Sequence, residues 1–486
     1  MHWAYKIASE VVAKRPNLKE YVVASGITPS GSIHIGNYRE FITNYYVGKA
    51  LKSMGKKVRM IFSWDDYDRF RKVPKNVTNE GFDKYLGMPV SAAPNPFDSG
   101  AETFARHFQL EFEQIMQEMG NNEIPVEFIY QHKKYTSGAY NKKIIEALQK
   151  RKQIFDIITS FKTQEESDEQ RENYFPVSVY CKSCNKDFTT VISFNEKNNQ
   201  LTYECKCRGT TETIDVATSN NVKLVWKVDW PMRWQHEGVV FEAAGIDHHS
   251  ENGSFAVGRR ISKEIFGYDA PETCVYAWVG IKGVSTANMS SSSGVNITPR
   301  QLLNVYEPEI IRWLFAKYHH EDSFDFGFDD IVPRHYTEFD RYLKNAAEEY
   351  EQSVIDLALF TKQTEKTNFQ DLIALASAGK ESRDTRFGKV MHWLTHYMPS
   401  KLYKFLDQPN KEFYSTLSPE EKEDIKNFAT DITQDLYSFI GKDKARQKRY
   451  FNIFYNLLFG RDDGPRLQAF LSVADKKKVL KLLNCA

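Results

Sequence analysis

Hydrophobic and polar positions along this chain follow first a strand rhythm and then a helix rhythm. Tyr21-Val22-Val23-Ala24-Ser25 is a continuous β-favouring run that stops at Gly26 and at Thr28-Pro29-Ser30-Gly31, an order that predicts a buried strand ending in a turn. Beyond His34-Ile35-Gly36-Asn37, apolar residues recur at three to four positions through Phe41, Ile42, Tyr45, Tyr46, Ala50 and Met54, predicting an amphipathic helix that ends near Gly55. Lys57 to Trp64 supplies a second strand. Strand, turn, helix, strand is the opening of a parallel nucleotide-binding sheet, with the ligand expected where the first strand meets its helix.

From about Gln164 to Ile214 the pattern turns polar, with paired cysteines and short alternating runs such as Thr189-Thr190-Val191-Ile192-Ser193-Phe194. That change reads as an inserted module. Strand-like text returns at Val222 to Val228 and at Val239-Val240-Phe241, and a helix is expected after Gly253 to carry Arg259 and Arg260. Beyond Pro308 the period is mostly helical, with a link at Gln363 to Asn368 and a last helix pair after Ser418. The predicted organisation is an α/β Rossmann-type catalytic domain over 1–300, interrupted by an insert at 165–215. A connecting segment over 301–375 and a helical domain over 376–486 follow.

With 486 residues, the chain exceeds what one core supports, consistent with that division. Its 41% hydrophobic and 27% charged residues are those of a water-soluble globular protein. No apolar run reaches the roughly 20 residues that span a bilayer, and the start Met1-His2-Trp3-Ala4-Tyr5-Lys6 lacks a signal h-region. The expectation is a cytoplasmic protein with no membrane contact, and a monomer. A net charge of +1 decides nothing about nucleic acid, because local runs such as Gln149-Lys150-Arg151-Lys152, Lys442 to Arg449 and Lys476-Lys477-Lys478 matter more than the sum.

His34-Ile35-Gly36-Asn37 falls where a strand passes into a helix, so the free N–H groups of the helix start would face phosphate. An imidazole there can donate to phosphate oxygens, and a glycine allows close backbone approach. Far downstream, Asn288-Met289-Ser290-Ser291-Ser292-Ser293-Gly294 has the composition of a flexible linker. Of six cysteines, four form two close pairs, Cys181-x-x-Cys184 and Cys205-x-Cys207. This spacing predicts a tetrahedral zinc knuckle with a structural role, holding an insert expected to lack its own core.

The stretch Ala24 to Asn37 resembles the first signature of class I lysyl-tRNA synthetases, and the serine-rich loop is similar to their second. The likeness continues in order through Asp65-Asp66-Tyr67-Asp68 with Arg71-Lys72-Val73-Pro74, Tyr135-Thr136-Ser137-Gly138, Trp226 to Trp234 and Gly245-Ile246-Asp247-His248. It extends through Pro308 to Phe315 and Gly464-Pro465-Arg466-Leu467, so it covers nearly the whole chain. The resemblance implies lysine activation with ATP and Mg2+ to lysyl-adenylate, then transfer to the 2′-hydroxyl of the terminal adenosine of tRNA. It implies catalytic roles for His34, Gly36, Asn37, Met289, Ser290 and Ser292, with ATP held by His34, Gly36, Asn37, Gly245 and Asp247. The lysine pocket would comprise Gly26, Thr28, Trp226, His248 and Tyr276, although the neighbouring His249 could take the place of His248. It further implies that the connecting segment leans on the acceptor side of tRNA. The C-terminal helices would read the anticodon, with Arg446, Lys448, Arg449 and Tyr450 as residues able to stack on or neutralise unpaired nucleotides.

The chain departs from that pattern at one place. The second signature carries lysine at one or both of the positions held here by Asn288 and Ser293. A charge-assisted bond contributes about 1.5–3 kcal/mol, so its loss slows activation by roughly 10- to 150-fold. Lys282, six positions earlier, could supply the charge if the loop folds back. The alternative is a catalytically weakened paralogue that chiefly binds tRNA.

Overall fold

In the computed structural model, which describes residues 1–120, 123–162, 166–207, 209–250, 252–282, 297–359 and 366–484, the first helix α1 spans Trp3–Lys14 and the first strand β1 spans Tyr21–Ile27. Helix α2 follows over Ile35–Ser53, strand β2 over Val58–Trp64, helix α3 over Phe104–Glu118 and strand β3 over Val126–Tyr130. These strands and Val239–Phe241 form a four-stranded parallel sheet in the order β3, β2, β1, 239–241. The strand order reverses between β1 and 239–241. In such sheets, ligands bind outside the carboxyl ends of the strands at the reversal.

The amphipathic reading of α2 requires correction. Phe41, Ile42, Tyr45, Tyr46 and Ala50 are buried as expected while Met54, at the end of the stripe, is exposed, and Arg39, Asn44 and Lys49 on the other faces are buried too. The helix is central, and its polar residues find partners inside: Arg39 donates to the carbonyls of Trp278, His319, His320 and Asp322. A buried all-round helix cannot be read from a one-sided apolar stripe.

The expected strand from Val222 to Val228 is also shorter. Val222–Leu224 pairs antiparallel with Val177–Val179, and Trp226–Glu237 is a helix. The apolar, β-favouring character of Val225, Trp226 and Val228 concealed the spacing of four between Trp226, Trp230 and Trp234, which puts three indoles on one helical face.

The insert contains a three-stranded antiparallel sheet, Thr189–Asn195, Gln200–Cys205 and Thr210–Asp215. It does not close a core of its own. Val179, Tyr180, Leu201, Tyr203, Ile214 and Val216 share one apolar cluster with Ile144, Leu148, Ile154 and Ile157 of the preceding helices.

The chain divides into two compact units, the first comprising Met1–Arg300, Ile311–Phe326 and Ala347–Thr361. Its late segments include a strand the periodicity did not suggest, Phe324–Phe326, paired in parallel with Val279–Ile281. The second unit, Gln301–Ile310, Gly327–Ala346 and Lys362–Ala486, is helical in its described residues. Rather than the single pair expected after Ser418, five helices occupy Pro419–Thr430, Leu436–Ile440, Lys444–Phe459, Leu467–Val473 and Lys476–Leu483. Arg446 pairs with Asp424 at 2.7 Å and Arg449 with Glu421 at 2.7 Å, while Tyr450 is buried and donates to Asp424. Tyr450 is therefore closed to nucleotide stacking, whereas Lys448 and the paired Arg449 are exposed.

Candidate active site

Gly26 closes the gap between the first two strands. It stands opposite Ser63 of β2, where a Cβ would come within 2.7 Å of the Ser63 carbonyl oxygen, so a side chain would force the strands apart. Its N–H donates to Glu40 Oε1 at 3.1 Å, linking the end of β1 to the second turn of α2.

His34 is the N-cap of α2. Its Nδ1 accepts the Gly36 N–H at 3.1 Å, and Asn37 Oδ1 accepts the His34 N–H at 3.1 Å, which satisfies two otherwise orphaned donors. Gly36 is needed for this geometry, since a Cβ there would sit 2.9 Å from the His34 ring. Burial pushes the His34 imidazole down to about 4. The ring is therefore neutral at pH 7, and with Nδ1 accepting, its proton resides on Nε2 as a donor beside the helix start.

At the carboxyl ends of β1 and 239–241 lies a cavity of about 80 Å³ bordered by Ser25, Gly26, Glu40, Glu242, Trp226 and His248, among others. Trp226 stacks on Trp230 with centroids 5.1 Å apart, Trp230 contacts Trp234 at 5.0 Å, and His248 meets the Trp230 edge at 5.5 Å. His249 instead stacks on Phe255. The geometry thus brings His248 to the cavity and keeps its neighbour away. Ser25 Oγ, also on the wall, is buried without a hydrogen-bond partner among the described residues.

The electrostatics of the cavity are acidic. Four carboxyl groups border it, those of Glu40, Asp65, Glu237 and Glu242, against one guanidinium, that of Arg233. Arg233 is occupied by Asp65 at 2.5 Å and Asp229 at 3.3 Å, and Glu237 by Arg59 and Lys134. Among the described residues Glu40 and Glu242 form no ion pair. Burial pushes Glu40 up to about 8 and Glu242 up to about 7; the charge of Asp65 adds to both shifts and that of Glu242 to the first. The hydrogen bonds Tyr276 Oη to Glu40 Oε2 at 3.0 Å and Trp234 Nε1 to Glu242 Oε2 at 2.7 Å hold the two carboxyls in place. Such a site favours a ligand that brings its own positive charge.

A wider cleft of about 700 Å³ shares Gly26, Glu40, Asp65, Trp226 and His248 with the cavity and adds Thr28, Asn37, Asp68, Arg69 and Arg71. Thr28 donates to Asp68 at 3.1 Å, and Asp68 pairs with the buried Lys223 at 3.0 Å. Of the residues singled out from sequence, Gly26, Trp226 and His248 meet at both spaces, Thr28 and Asn37 border the cleft, and Tyr276 reaches the cavity through Glu40. Gly245 packs against Tyr276, and Asp247 is exposed on the turn Ile246–His248; neither borders these two spaces. Met289, Ser290, Ser292, Asn288 and Ser293 lie outside the described residues. Sequence reasoning missed Glu40, Glu242, Trp230 and Trp234. The spacing of the three tryptophans was a usable signal, whereas a lone glutamate within a helix was none.

In the insert, Sγ of Cys181 is 3.7 Å from that of Cys207, and Sγ of Cys184 is 3.7 Å from that of Cys205. All four sulfurs lie within 4.8 Å of one another, and all four cysteines are free. Thiolates at roughly 2.3 Å from a central zinc form a tetrahedron with edges of about 3.8 Å. The donor set fits zinc, as a disulfide at about 2.05 Å would not.

The family described as tRNA synthetases class I (K) matches residues 1–366. The lysine–tRNA ligase of Treponema pallidum is 32% identical, aligned over 100% of this chain and 98% of its own. Those of Pyrococcus horikoshii and Thermococcus kodakarensis are 33% and 34% identical, each covering 100% of this chain and 99% of theirs. The chain belongs to the class I tRNA synthetases, in the family marked K.

Proposed function

We propose that this protein is a lysine–tRNA ligase that activates lysine with ATP and esterifies it to the 2′-hydroxyl of the terminal adenosine of tRNA. The observation that carries the reading is the acidic, tryptophan-walled cavity at the strand reversal, whose Glu40 and Glu242 carboxyls form no ion pair among the described residues. A glutamate-type substrate would need surplus guanidinium there, and the single arginine is already doubly paired. Lysine brings the missing charge on an apolar stem suited to aromatic walls.

In this reading the side-chain ammonium rests against Glu40 and Tyr276, with Trp226, Trp230 and His248 beside the stem and Gly26 and Thr28 near the α-carbon. ATP enters as its magnesium complex, metal and nucleotide together forming the substrate. His34 Nε2–H donates to a phosphate oxygen beside the start of α2, Gly36 and Asn37 hold the turn, and Gly245 and Asp247 face the nucleoside. The lysine carboxylate oxygen attacks the α-phosphorus as the bond to pyrophosphate breaks. The 2′-hydroxyl of tRNA then attacks the carbonyl carbon, its proton leaves, and AMP departs. Both steps rest on positioning and charge stabilisation, and no covalent enzyme intermediate is involved. The family likeness also gives Met289, Ser290 and Ser292 a catalytic part.

Cys181, Cys184, Cys205 and Cys207 would hold zinc, which when bound supplies a closed tetrahedral crosslink for the insert. The family likeness further carries a monomer at work in the cytoplasm, with the acceptor side of tRNA against 301–375 and its anticodon against 376–486. Among the described residues no helix is long and apolar enough to cross a membrane. The deciding experiment charges a tRNA transcript bearing a lysine anticodon with radiolabelled lysine. Lysyl-tRNA formation supports the reading; binding of the transcript with neither exchange nor charging supports the weakened paralogue instead.

A further inference from the structure

The wall of the wider cleft that lies beyond β2 is lined by Arg69 and Arg71 from the loop after that strand, together with Ser178, Tyr180 and Asp187 of the insert. The two arginines flank the buried Phe70 and both reach this wall. Their situations differ. Arg69 pairs with Asp187 at 3.2 Å and its guanidinium lies 4.9 Å from the Phe188 ring. Lys223, the other cation of this cleft, is taken up by Asp68 and Asp229. Arg71 is exposed and makes no ion pair or hydrogen bond among the described residues; its field reaches Asp187, which Arg69 already occupies.

The loop that carries Arg71 is held in place. Phe70 N–H donates to the Met88 carbonyl at 2.7 Å and Gly87 N–H to the Phe70 carbonyl at 2.9 Å, while the insert closes on the same point through Asp187 N–H to the Gly87 carbonyl at 2.9 Å. A guanidinium is thus presented to the cleft from a backbone tied on two sides, with its charge unspent.

We infer that Arg71 binds a phosphodiester of the tRNA acceptor end, guiding the terminal adenosine into the cleft. This rests on the ligase reading above. The ligand is a phosphate because the carboxylate whose field Arg71 reaches, Asp187, is already paired with Arg69, and the planar, permanently charged fork left facing the cleft matches phosphate oxygens. The source is tRNA because of sheet order. The nucleotide elements, α2 and the turn at Ile246–His248, stand at the β1 and 239–241 side, while Arg71 follows β2 on the other flank. A nucleotide seated at the strand reversal leaves that flank to the incoming strand of tRNA.

The test compares the intact wild-type enzyme with Arg71→Ala, Arg71→Glu and Arg71→Lys in two assays, lysine-dependent ATP–pyrophosphate exchange and lysylation of tRNA. The expected result is exchange unchanged within about twofold in all three. Lysylation kcat/KM for tRNA should fall about tenfold in Arg71→Ala, further in Arg71→Glu, and recover partly in Arg71→Lys. The salt dependence of the tRNA step should weaken by about one phosphate contact. Equal loss in both assays would assign Arg71 to ATP and overturn the inference, as would unchanged lysylation in Arg71→Glu. Wild-type protein inactive in both assays would defeat the ligase reading itself, a result that does not depend on Arg71.

Discussion

Tyr276 donates its phenolic hydrogen to Glu40 Oε2 at 3.0 Å, joining two residues 236 positions apart at the wall of an acidic cavity. Gly26 completes the arrangement by donating to the other carboxyl oxygen at 3.1 Å. Three remote segments therefore converge on one carboxyl group that desolvation has pushed up to about 8.

This has a pH consequence. Between the ordinary carboxylate range and about 8, the empty folded protein keeps a proton on Glu40 that the unfolded chain has released. The empty protein is accordingly expected to lose stability as pH rises through that window. A bound ammonium favours the carboxylate, so lysine should release a proton near pH 7. Calorimetry in two buffers of different ionisation enthalpy measures that release directly. Glu40→Gln should reduce it to the part that Glu242 releases and raise the lysine KM by roughly 10- to 150-fold, the effect of one charge-assisted bond. Identical heats in both buffers would count against the assignment.

His34 serves both the fold and the chemistry, and two substitutions separate the roles. Asparagine can still cap α2 but offers no imidazole, whereas alanine does neither. His34→Asn should retain near-native thermal stability while pyrophosphate exchange falls by roughly 10- to 100-fold. His34→Ala should lose the same activity and in addition about 1 kcal/mol of stability. Because burial holds the ring at about 4, the activity profile should show no inflection from His34 between pH 6 and 8.

The positions Asn288 and Ser293 offer a gain-of-function test. If lysine at these places meets the charge developing on the phosphates, Ser293→Lys and Asn288→Lys should each raise the exchange rate about tenfold without altering the lysine KM. Steady-state exchange measured against both substrates checks this. A rise in lysine affinity instead would move the loop's role to the amino acid.

The four sulfurs of Cys181, Cys184, Cys205 and Cys207 are spaced as the edges of a zinc tetrahedron. Elemental analysis should find one zinc per chain, and Cys184→Ser should lower both zinc content and melting temperature. Mass shifts showing two disulfides in freshly reduced protein would contradict the assignment.

Much of this was legible in sequence because local chemistry announced it. Gly26 and Gly36 stand where another group crowds the backbone, His34 and Asn37 form a local cap, and the cysteines pair at short range. Glu40 and Glu242 were not legible. Their significance comes from what surrounds them in three dimensions, desolvation and a remote hydroxyl or indole, and neither leaves a mark on the neighbouring sequence. The helix Trp226–Glu237 was misread for a related reason, since the bulky apolar residues that favour strands here line a cavity.

The central claim is that a cationic amino acid completes the Glu40 cavity and is activated there. Pyrophosphate exchange with each of the twenty amino acids, for the native protein and Glu40→Gln side by side, tests it most directly. The expected result is exchange with lysine alone and its collapse in the variant; exchange with another amino acid, or undiminished lysine exchange in Glu40→Gln, would contradict it.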